Sequence, residues 1–315
     1  MSRLFRDVDG GRLFPHGSVV CIGAFDGLHT GHRALVRHAV ARAQAAGLPA
    51  VALTFEPLPR EFFARDNPPP RLTLARTKVE GLHGLGVESV GLLRFNAALS
   101  AMSAEDFVST LLVGRLGARE VWIGPDFRFG HRRGGDLALL QELGVKQGFS
   151  AAAIEPVHLH DERVSSTRIR DALRSGDFST AARLLGRPYA IDGRVVRGKQ
   201  LGRMLGFPTA NLRFPKTPAL SGIYATWVHG VGDRPWPSVS SFGTRPTVDG
   251  VEPLLEAHLF DFDGDLYGRH IEVEFVAKLR DELKFPDLSS LTEQMQRDAE
   301  TARRLLSAEK RRATA

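Results

Sequence analysis

The sequence predicts an α/β protein in two parts: a parallel sheet with helices on both faces, then an antiparallel β-barrel that ends in a helix. Three observations predict it. Over residues 18–157, short runs that are apolar throughout alternate with amphipathic helical stretches, the pattern of a parallel sheet covered on both faces. Beyond Pro188 the chain turns to short strands punctuated by Gly and Pro, several alternating polar and apolar residues as barrel strands do. The length, 315 residues, suffices for two domains. The change of grammar sets the expected boundary at 186–188, giving domains 1–186 and 187–315.

The elements follow in order. SVVCIGAF (18–25) is a strand with no polar face. HRALVRHAVARAQAA (32–46) is a helix, with Leu35, Val36, Ala39, Val40 and Ala43 on one stripe and Gly47 just past its end. AVALTF (50–55) is the next strand, followed by a Pro-rich loop over 57–70. A helix over 74–85 leads to a strand over 87–95, and a helix over 103–113 to a strand over 119–124. A helix over 135–147 and a strand near 150–157 come next, and the short helical stretches STRIRDALRSG and FSTAARLLG close this half. In the second half, strands are expected in YAIDGRVVRG, GIYATWVHG, PSVSSFG, LLEAHLFDF and HIEVEFVAKL, and a final helix over 289–306.

Composition narrows the function. Hydrophobic residues at 43% and charged residues at 25% are ordinary for a soluble globular protein. No apolar run approaches the roughly 20 residues that span a bilayer, and MSRLFRDVDGG carries no apolar segment with a cleavage site. No membrane association or secretion is therefore expected. Cys21 is the only cysteine, which excludes an internal disulfide and a cysteine-rich metal site; a cytoplasmic location is expected. The net charge of +6, from 42 Lys and Arg against 36 Asp and Glu, fits either nucleic acid or small polyphosphate ligands. A nucleic-acid binder gathers its basic residues on one face or helix. Here, apart from Arg132-Arg133 and the tail EKRRATA, they are scattered, so no nucleic-acid partner is expected. The oligomeric state is not legible.

The stretch GAFDGLHTGH (23–32) carries the first candidate site. Its glycines permit a tight turn and close approach of backbone to ligand. The helix that follows offers free N–H groups and a positive dipole end to a phosphate. His29 and His32, separated by two residues in the loop, can face one pocket, where an imidazole can stabilise charge that grows on a phosphoryl oxygen. Taken alone, the pair reads equally well as two solvent-facing histidines. Zinc would need three or four convergent ligands, and only Asp26 is near. No Walker A loop is present, so ATP would be bound another way.

GAFDGLHTGH is similar to the signature of the HxGH nucleotidyltransferases, in the form found in bacterial bifunctional riboflavin kinase/FMN adenylyltransferases (FAD synthetases). SSTRIR (165–170) resembles that family's S-S-T-x-I-R segment, and Gly124, Asp126, Phe127, Phe129 and Gly130 match its G-x-[ND]-F-x-F-G segment. The resemblance implies a Rossmann-like nucleotidyltransferase domain. In it His29 and His32 would stabilise the attacked α-phosphate, with Gly23, Phe25, Asp26 and Gly31 also at the nucleotide. Ser166, Thr167 and Arg170 would hold the triphosphate, and Asp126 and Phe127 would sit at the flavin. Read from the residues alone, Ser165-Ser166-Thr167 ahead of a helix are N-cap residues. One departure is Leu58 in TFEPLPREFF, where relatives often have histidine.

The second candidate site lies in GRVVRGKQLGRMLGFPTANL (193–212). Gly193, Gly198, Gly202 and Gly206 are too many for a plain strand and suggest a loop bending around a ligand. Thr209 and Asn211 alternate with Ala210, so in extended chain both project to one side, as hard oxygen ligands suited to Mg²⁺. A Thr and an Asn satisfying a turn is the plain alternative. The whole run resembles the riboflavin kinase signature, and SGIYA, FGTRPTVDG, LEAHLFDFDGDLYG and RDELKF resemble successive segments of that domain.

What the resemblance implies here is a riboflavin kinase barrel, with Glu256 as base on the ribityl 5′-hydroxyl and Thr209 and Asn211 as ligands of Mg²⁺ or another divalent ion. Gly198, Gly202, Arg203, Gly206 and Pro208 would lie at ATP, and Arg280, Glu282 and Phe285 at the flavin. Ser241 stands where relatives usually carry asparagine, so no ligand role is expected of it. The two domains would together convert riboflavin to FMN and FMN to FAD with ATP. Rival readings are an HxGH nucleotidyltransferase of single activity, which leaves the second half unexplained, and a flavin-binding module with one inactive domain.

Overall fold

The computed structural model describes residues 3–8, 10–198, 201–247 and 250–313. Lys199 and Gln200 of the second candidate site, and Val248 and Asp249 of FGTRPTVDG, lie outside the described residues. The chain forms two compact units: Met1–Pro69 with Thr73–Ser166, and Pro70–Leu72 with Thr167–Ala315.

In the first unit the elements are β1 (Arg3–Phe5), β2 (Ser18–Ile22), α1 (Thr30–Ala46), β3 (Ala50–Glu56), α2 (Pro59–Phe63), α3 (Ala75–Gly84), β4 (Ser89–Arg94) and α4 (Ala97–Ala101). Then come α5 (Ala104–Asp106), running on as a π-helical stretch Phe107–Arg115, β5 (Ala118–Ile123), a 3₁₀ turn at His131–Arg133, α6 (Leu137–Gln147) and β6 (Ser150–Ala153). A two-strand hairpin, β7 (His158–Leu159) and β8 (Glu162–Arg163), ends the unit. The main sheet is wholly parallel, ordered β1-β4-β3-β2-β5-β6. From β2 the chain builds outward through β3 on one side, then returns to β2's other edge with β5. The loops after β2 and β5 therefore face each other at the point where strand order reverses, the crevice in which such sheets bind ligands.

Alternation along β2 explains why its five residues are all buried: Val20 and Ile22 pack with β5, the π-helical stretch and α6, while Val19 and Cys21 pack with α1 and α3. Burial also pushes the Cys21 thiol up to about 12. The expected alternation of strand and helix is present. Four elements were not expected: β1, which adds a parallel edge to β4; α2, within the Pro-rich loop; α4; and the β7–β8 hairpin. Each is five residues or shorter, too short to show a period in sequence.

The second unit begins with α7 (Ser166–Ser175, from Thr167 on) and α8 (Phe178–Leu185). It continues with β9 (Ala190–Arg194), α9 (Leu201–Met204), β10 (Ala210–Arg213), β11 (Gly222–His229), β12 (Trp236–Thr247), β13 (Gly250–Leu259), β14 (His270–Arg280) and α10 (Leu288–Ala313). The sheet is antiparallel, ordered β10-β13-β12-β11-β14-β9. Its end strands meet where the Val196 amide donates to the Asn211 carbonyl at 2.8 Å, which nearly closes a barrel. Tyr224, Phe242, Leu255, Val273 and Phe275 are buried, and among them the Thr226 hydroxyl bonds to those of Ser238 (2.6 Å) and Ser240 (2.7 Å). Outside, α10 lays Ala299, Ala302 and Leu306 against Ala225 and Phe260.

The division of units at Ser166/Thr167 precedes the change of sequence grammar at 186–188. The cause is packing: Phe178 of α8 stacks on Phe275 (6.2 Å between centroids) and meets Tyr224 edge-on (5.8 Å). Residues 70–72 join the same unit because the Arg71 amide donates to the Thr217 carbonyl (2.7 Å) and the Tyr189 hydroxyl to the Leu72 carbonyl (3.3 Å).

Candidate active sites

In the first unit the chain leaves β2 through Gly23, where a Cβ would meet the Phe25 ring at 2.9 Å. Phe25 (φ 50°), Gly27 (φ 85°) and Leu28 (φ 46°) all lie in the left-handed region, which is costly for bulky side chains and persists only where packing enforces it. Phe25 and Leu28 are buried. Asp26 is buried too: its Oδ1 accepts from the Thr73 amide (3.0 Å), while the Gly27 amide donates to the Thr73 hydroxyl (2.9 Å). The Ser166 hydroxyl donates to the Asp26 carbonyl at 2.9 Å.

His29 is the N-cap of α1, its Nδ1 accepting from the His32 amide at 3.1 Å. In the neutral ring the proton therefore sits on Nε2. The His29 and His32 rings stack, centroids 3.6 Å apart and planes 14° from parallel, and Phe25 meets His32 edge-on at 5.4 Å. Burial, then His29, then Lys78, holds His32 well below its ordinary 6.5, so the ring is neutral near pH 7. Its Nδ1 is buried without a hydrogen-bond partner.

These rings line a cavity of about 210 Å³ together with Gly23, Gly31, Asp126, Phe127 and Ser166, which brings seven of the residues expected at this site into one place. Phe25 and Asp26 shape the loop from behind. Thr167 and Arg170 belong to the second unit: Thr167 is exposed, and the buried Arg170 donates through Nε to the Pro70 carbonyl at 2.5 Å. Asp126 is ion-paired with Arg163 of the β7–β8 hairpin, which lines the same cavity. Arg163 escaped the sequence reading because the hairpin did. Leu58 is buried, its amide bonded to Glu61 Oε2 (3.1 Å), and takes no place in the cavity.

The second unit holds a cavity of about 620 Å³ between the outer wall of the barrel and α10. Glu256, on β13, lies directly opposite Asn211 of β10 and Ser241 of β12, so the three side chains share one face of the sheet. Glu256 and His258 both line the cavity, with Gly202 and Thr209 at one end and Arg280, Glu282 and Phe285 at the other. The His258 Nδ1–H donates to the Pro208 carbonyl (2.9 Å), which fixes the ring, and burial holds its pKa below its ordinary range. Arg280 forks onto Asp298 of α10 (Nε to Oδ2 3.0 Å, Nη2 to Oδ2 2.6 Å), and Gly243 abuts the Glu282 carboxylate.

Asn211 is buried; its Nδ2 donates to the Thr209 carbonyl (3.2 Å), while its Oδ1 has no hydrogen-bond partner. A Cβ at Gly198 would meet this amide at 2.9–3.0 Å. A buried carbonyl oxygen left over beside a threonine, under a glycine, suits a hard divalent cation. Gly206 takes φ 83° after α9, and Arg203 and Pro208 are exposed. The run 193–212, expected as a loop, is a loop only in part: β9, α9 and β10 fall within it. The apolar wall contributed by Leu288, Leu291 and Met295 of α10 was not anticipated, since nothing local in sequence links α10 to the barrel's face.

A parallel sheet that presents stacked imidazoles at a helix N-terminus, and a barrel with a carboxylate and an oxygen-donor pair beside a ligand-sized cavity, define a transferase with two nucleotide-dependent sites. Comparison with known proteins gives this class its family. Residues 12–168 match the FAD synthetase family and residues 185–306 the riboflavin kinase family. The chain is 45% identical over 289 residues to the bifunctional riboflavin kinase/FMN adenylyltransferase of Escherichia coli K12, covering 91% of this chain and 92% of that one. It is 44% identical over 305 residues to the like-named protein of Pseudomonas fluorescens, covering 96% and 97%. A solved structure described as a macrolide-efflux protein from Streptococcus pneumoniae shares the fold at a TM-score of 0.76 and 30% identity, covering 96% of this chain and 98% of that one. The chain belongs to the bifunctional riboflavin kinase/FMN adenylyltransferase family.

Proposed function

We propose that the two cavities divide the synthesis of FAD between them, the second unit making FMN and the first consuming it, within functional domains 1–186 and 187–315. The chain is a riboflavin kinase and an FMN adenylyltransferase. In the kinase step the Glu256 carboxylate takes the proton of the riboflavin 5′-hydroxyl as its oxygen attacks the γ-phosphorus of ATP, and ADP leaves. Arg280, Glu282 and Phe285, held by Asp298 and by the apolar face of α10, enclose the flavin. Thr209 and Asn211 would hold Mg²⁺ or another divalent ion, which when bound neutralises phosphate charge.

In the adenylyl step a phosphate oxygen of FMN attacks the α-phosphorus of ATP, the bond to the β-phosphate breaks, and pyrophosphate leaves. His29 Nε2–H and the neutral His32 donate toward the oxygens on which charge grows, beside the amides of the α1 N-terminus. Ser166 lies at the triphosphate, and Asp126 and Phe127 at the flavin side. Both steps run on positioning and electrostatics without a covalent enzyme intermediate.

The observation that carries this reading is the convergence in each cavity of the very residues the two signatures single out: His29, His32 and Ser166 in one, Glu256, Thr209 and Arg280 in the other. Its test is chromatography of flavins after incubation with riboflavin, ATP and Mg²⁺. FMN followed by FAD is expected; FMN alone would leave the first cavity without its assigned reaction. The cytoplasm, where all these substrates occur, is the proposed location.

A further inference from the structure

Lys78, on α3, is wholly buried, yet it takes no part in either signature and does not line the cavity. Its Nζ donates to the Phe55 carbonyl at the end of β3 (3.1 Å) and to the Ala24 carbonyl (3.3 Å), with Glu56 Oε2 at 4.0 Å. The Ala24 carbonyl also receives the Thr54 hydroxyl at 3.0 Å. Two donors thus hold the residue that immediately precedes Phe25, the first of the left-handed positions in the loop. One turn further along α3, Gly81 lets the helix come so close that a Cβ there would meet Leu28 Cδ1 at 2.6 Å. Helix α3 therefore grips the strained loop at both ends, by a cation at Ala24 and by contact at Leu28. Burying an ammonium is costly unless carbonyls and a carboxylate compensate it. An apolar residue would fill this core site more cheaply, so the choice of lysine needs a reason in the site above it.

We propose that Lys78 is a positioning residue for adenylyl transfer: from beneath the loop its ammonium fixes the Ala24 and Phe55 carbonyls and so holds the His29–His32 pair against the cavity. The inference rests on the assignment of that pair to the attacked phosphate. The same charge disfavours a second positive charge on His32. Asp26 lies in the loop with Oδ1 bonded to the Thr73 amide, Glu56 stands beside Lys78, and Asp126, Glu155 and Arg163 line the cavity.

The test compares Lys78→Met and Thr54→Val with wild type in the full chain, by steady-state FMN adenylylation across pH and by NMR titration of the His32 imidazole, assigned with His32→Gln. Lys78→Met should lower kcat about 10- to 100-fold with little change in KM, the cost of a slightly misplaced site. It should also move the His32 titration, and the acid limb of kcat, to higher pH. Thr54→Val removes one donor to Ala24 without altering charge, so it should lower kcat and leave the His32 titration in place. Wild-type kcat in Thr54→Val, or a Lys78→Met protein whose activity falls only with its folded fraction while His32 titrates as in wild type, would overturn the proposal. The titration is read without substrate, so it stands even if the wild-type chain made no FAD, an outcome that would instead count against the functional assignment.

Discussion

At the scale of single residues, His29 does two things that can be separated. Its Nδ1 caps α1, while its Nε2–H is the donor in the proposed adenylyl step. His29→Ala should lower FAD formation about 10²–10³-fold, as loss of a transition-state donor does, and cost about 1 kcal/mol in stability through the lost cap. His29→Asn keeps a capping oxygen; it should recover the stability in thermal unfolding but not the turnover. His32 predicts a pH dependence. Its folded pKa lies below the 6.5 of the unfolded chain, so below that pH the unfolded state binds more protons. The stabilisation is complete above pH 6.5 and is lost as pH falls through the window beneath it. His32→Gln should flatten the decline of Tm as pH falls below 6.5. Both histidines were legible in the sequence because chemistry confines them to a short motif. Lys78 was not, because its role depends on where α3 packs, and a lysine in an amphipathic helix reads as a solvated one.

At the scale of elements, the most informative contact is that of α10 with the barrel. Arg280, the last residue of β14, forks onto Asp298 of α10, so the pair joins strand to helix beside the kinase cavity. Both groups are largely removed from water, at 17% and 8% side-chain exposure, so breaking the pair strands a charge. Asp298→Asn should destabilise the barrel by about 3 kcal/mol, the low end of the range for such pairs, and weaken riboflavin binding in a fluorescence titration. An unchanged affinity would mean that α10 does not shape the flavin end. The long strands and helices were legible from hydrophobic period alone; β1, α2 and the β7–β8 hairpin were not, being shorter than the period that would reveal them. The helix itself was foreseen, but not its partner, since no local pattern in α10 names the face of the barrel it covers.

At the scale of the whole molecule, each compact unit carries its own cavity, and the two linings share no residue. Glu256→Ala should therefore abolish FMN formation from riboflavin while the same protein still converts supplied FMN to FAD. Retention of FMN synthesis at the wild-type rate would remove Glu256 from its assigned role. The overall charge of +6 finds its use here, because every substrate except riboflavin carries phosphate. Two folds in sequence order were legible because parallel and antiparallel sheets write different grammars. The packing division at Ser166/Thr167 was not, because it depends on Phe178 choosing the barrel's aromatic core.

The seam of the barrel has a consequence for energetics. Asn211 accepts the Val196 amide at its backbone carbonyl, joining the two end strands, and its side-chain oxygen, buried without a hydrogen-bond partner, is the atom proposed to meet a cation. In the proposed reading one residue thus serves both closure and ligation. Any ligand that engages Asn211 only when the seam is zipped is thermodynamically linked to the zipping: occupancy biases the barrel toward its closed form, and closure in turn raises affinity by the same factor. Metal loading and the integrity of the sheet then become two readings of a single equilibrium.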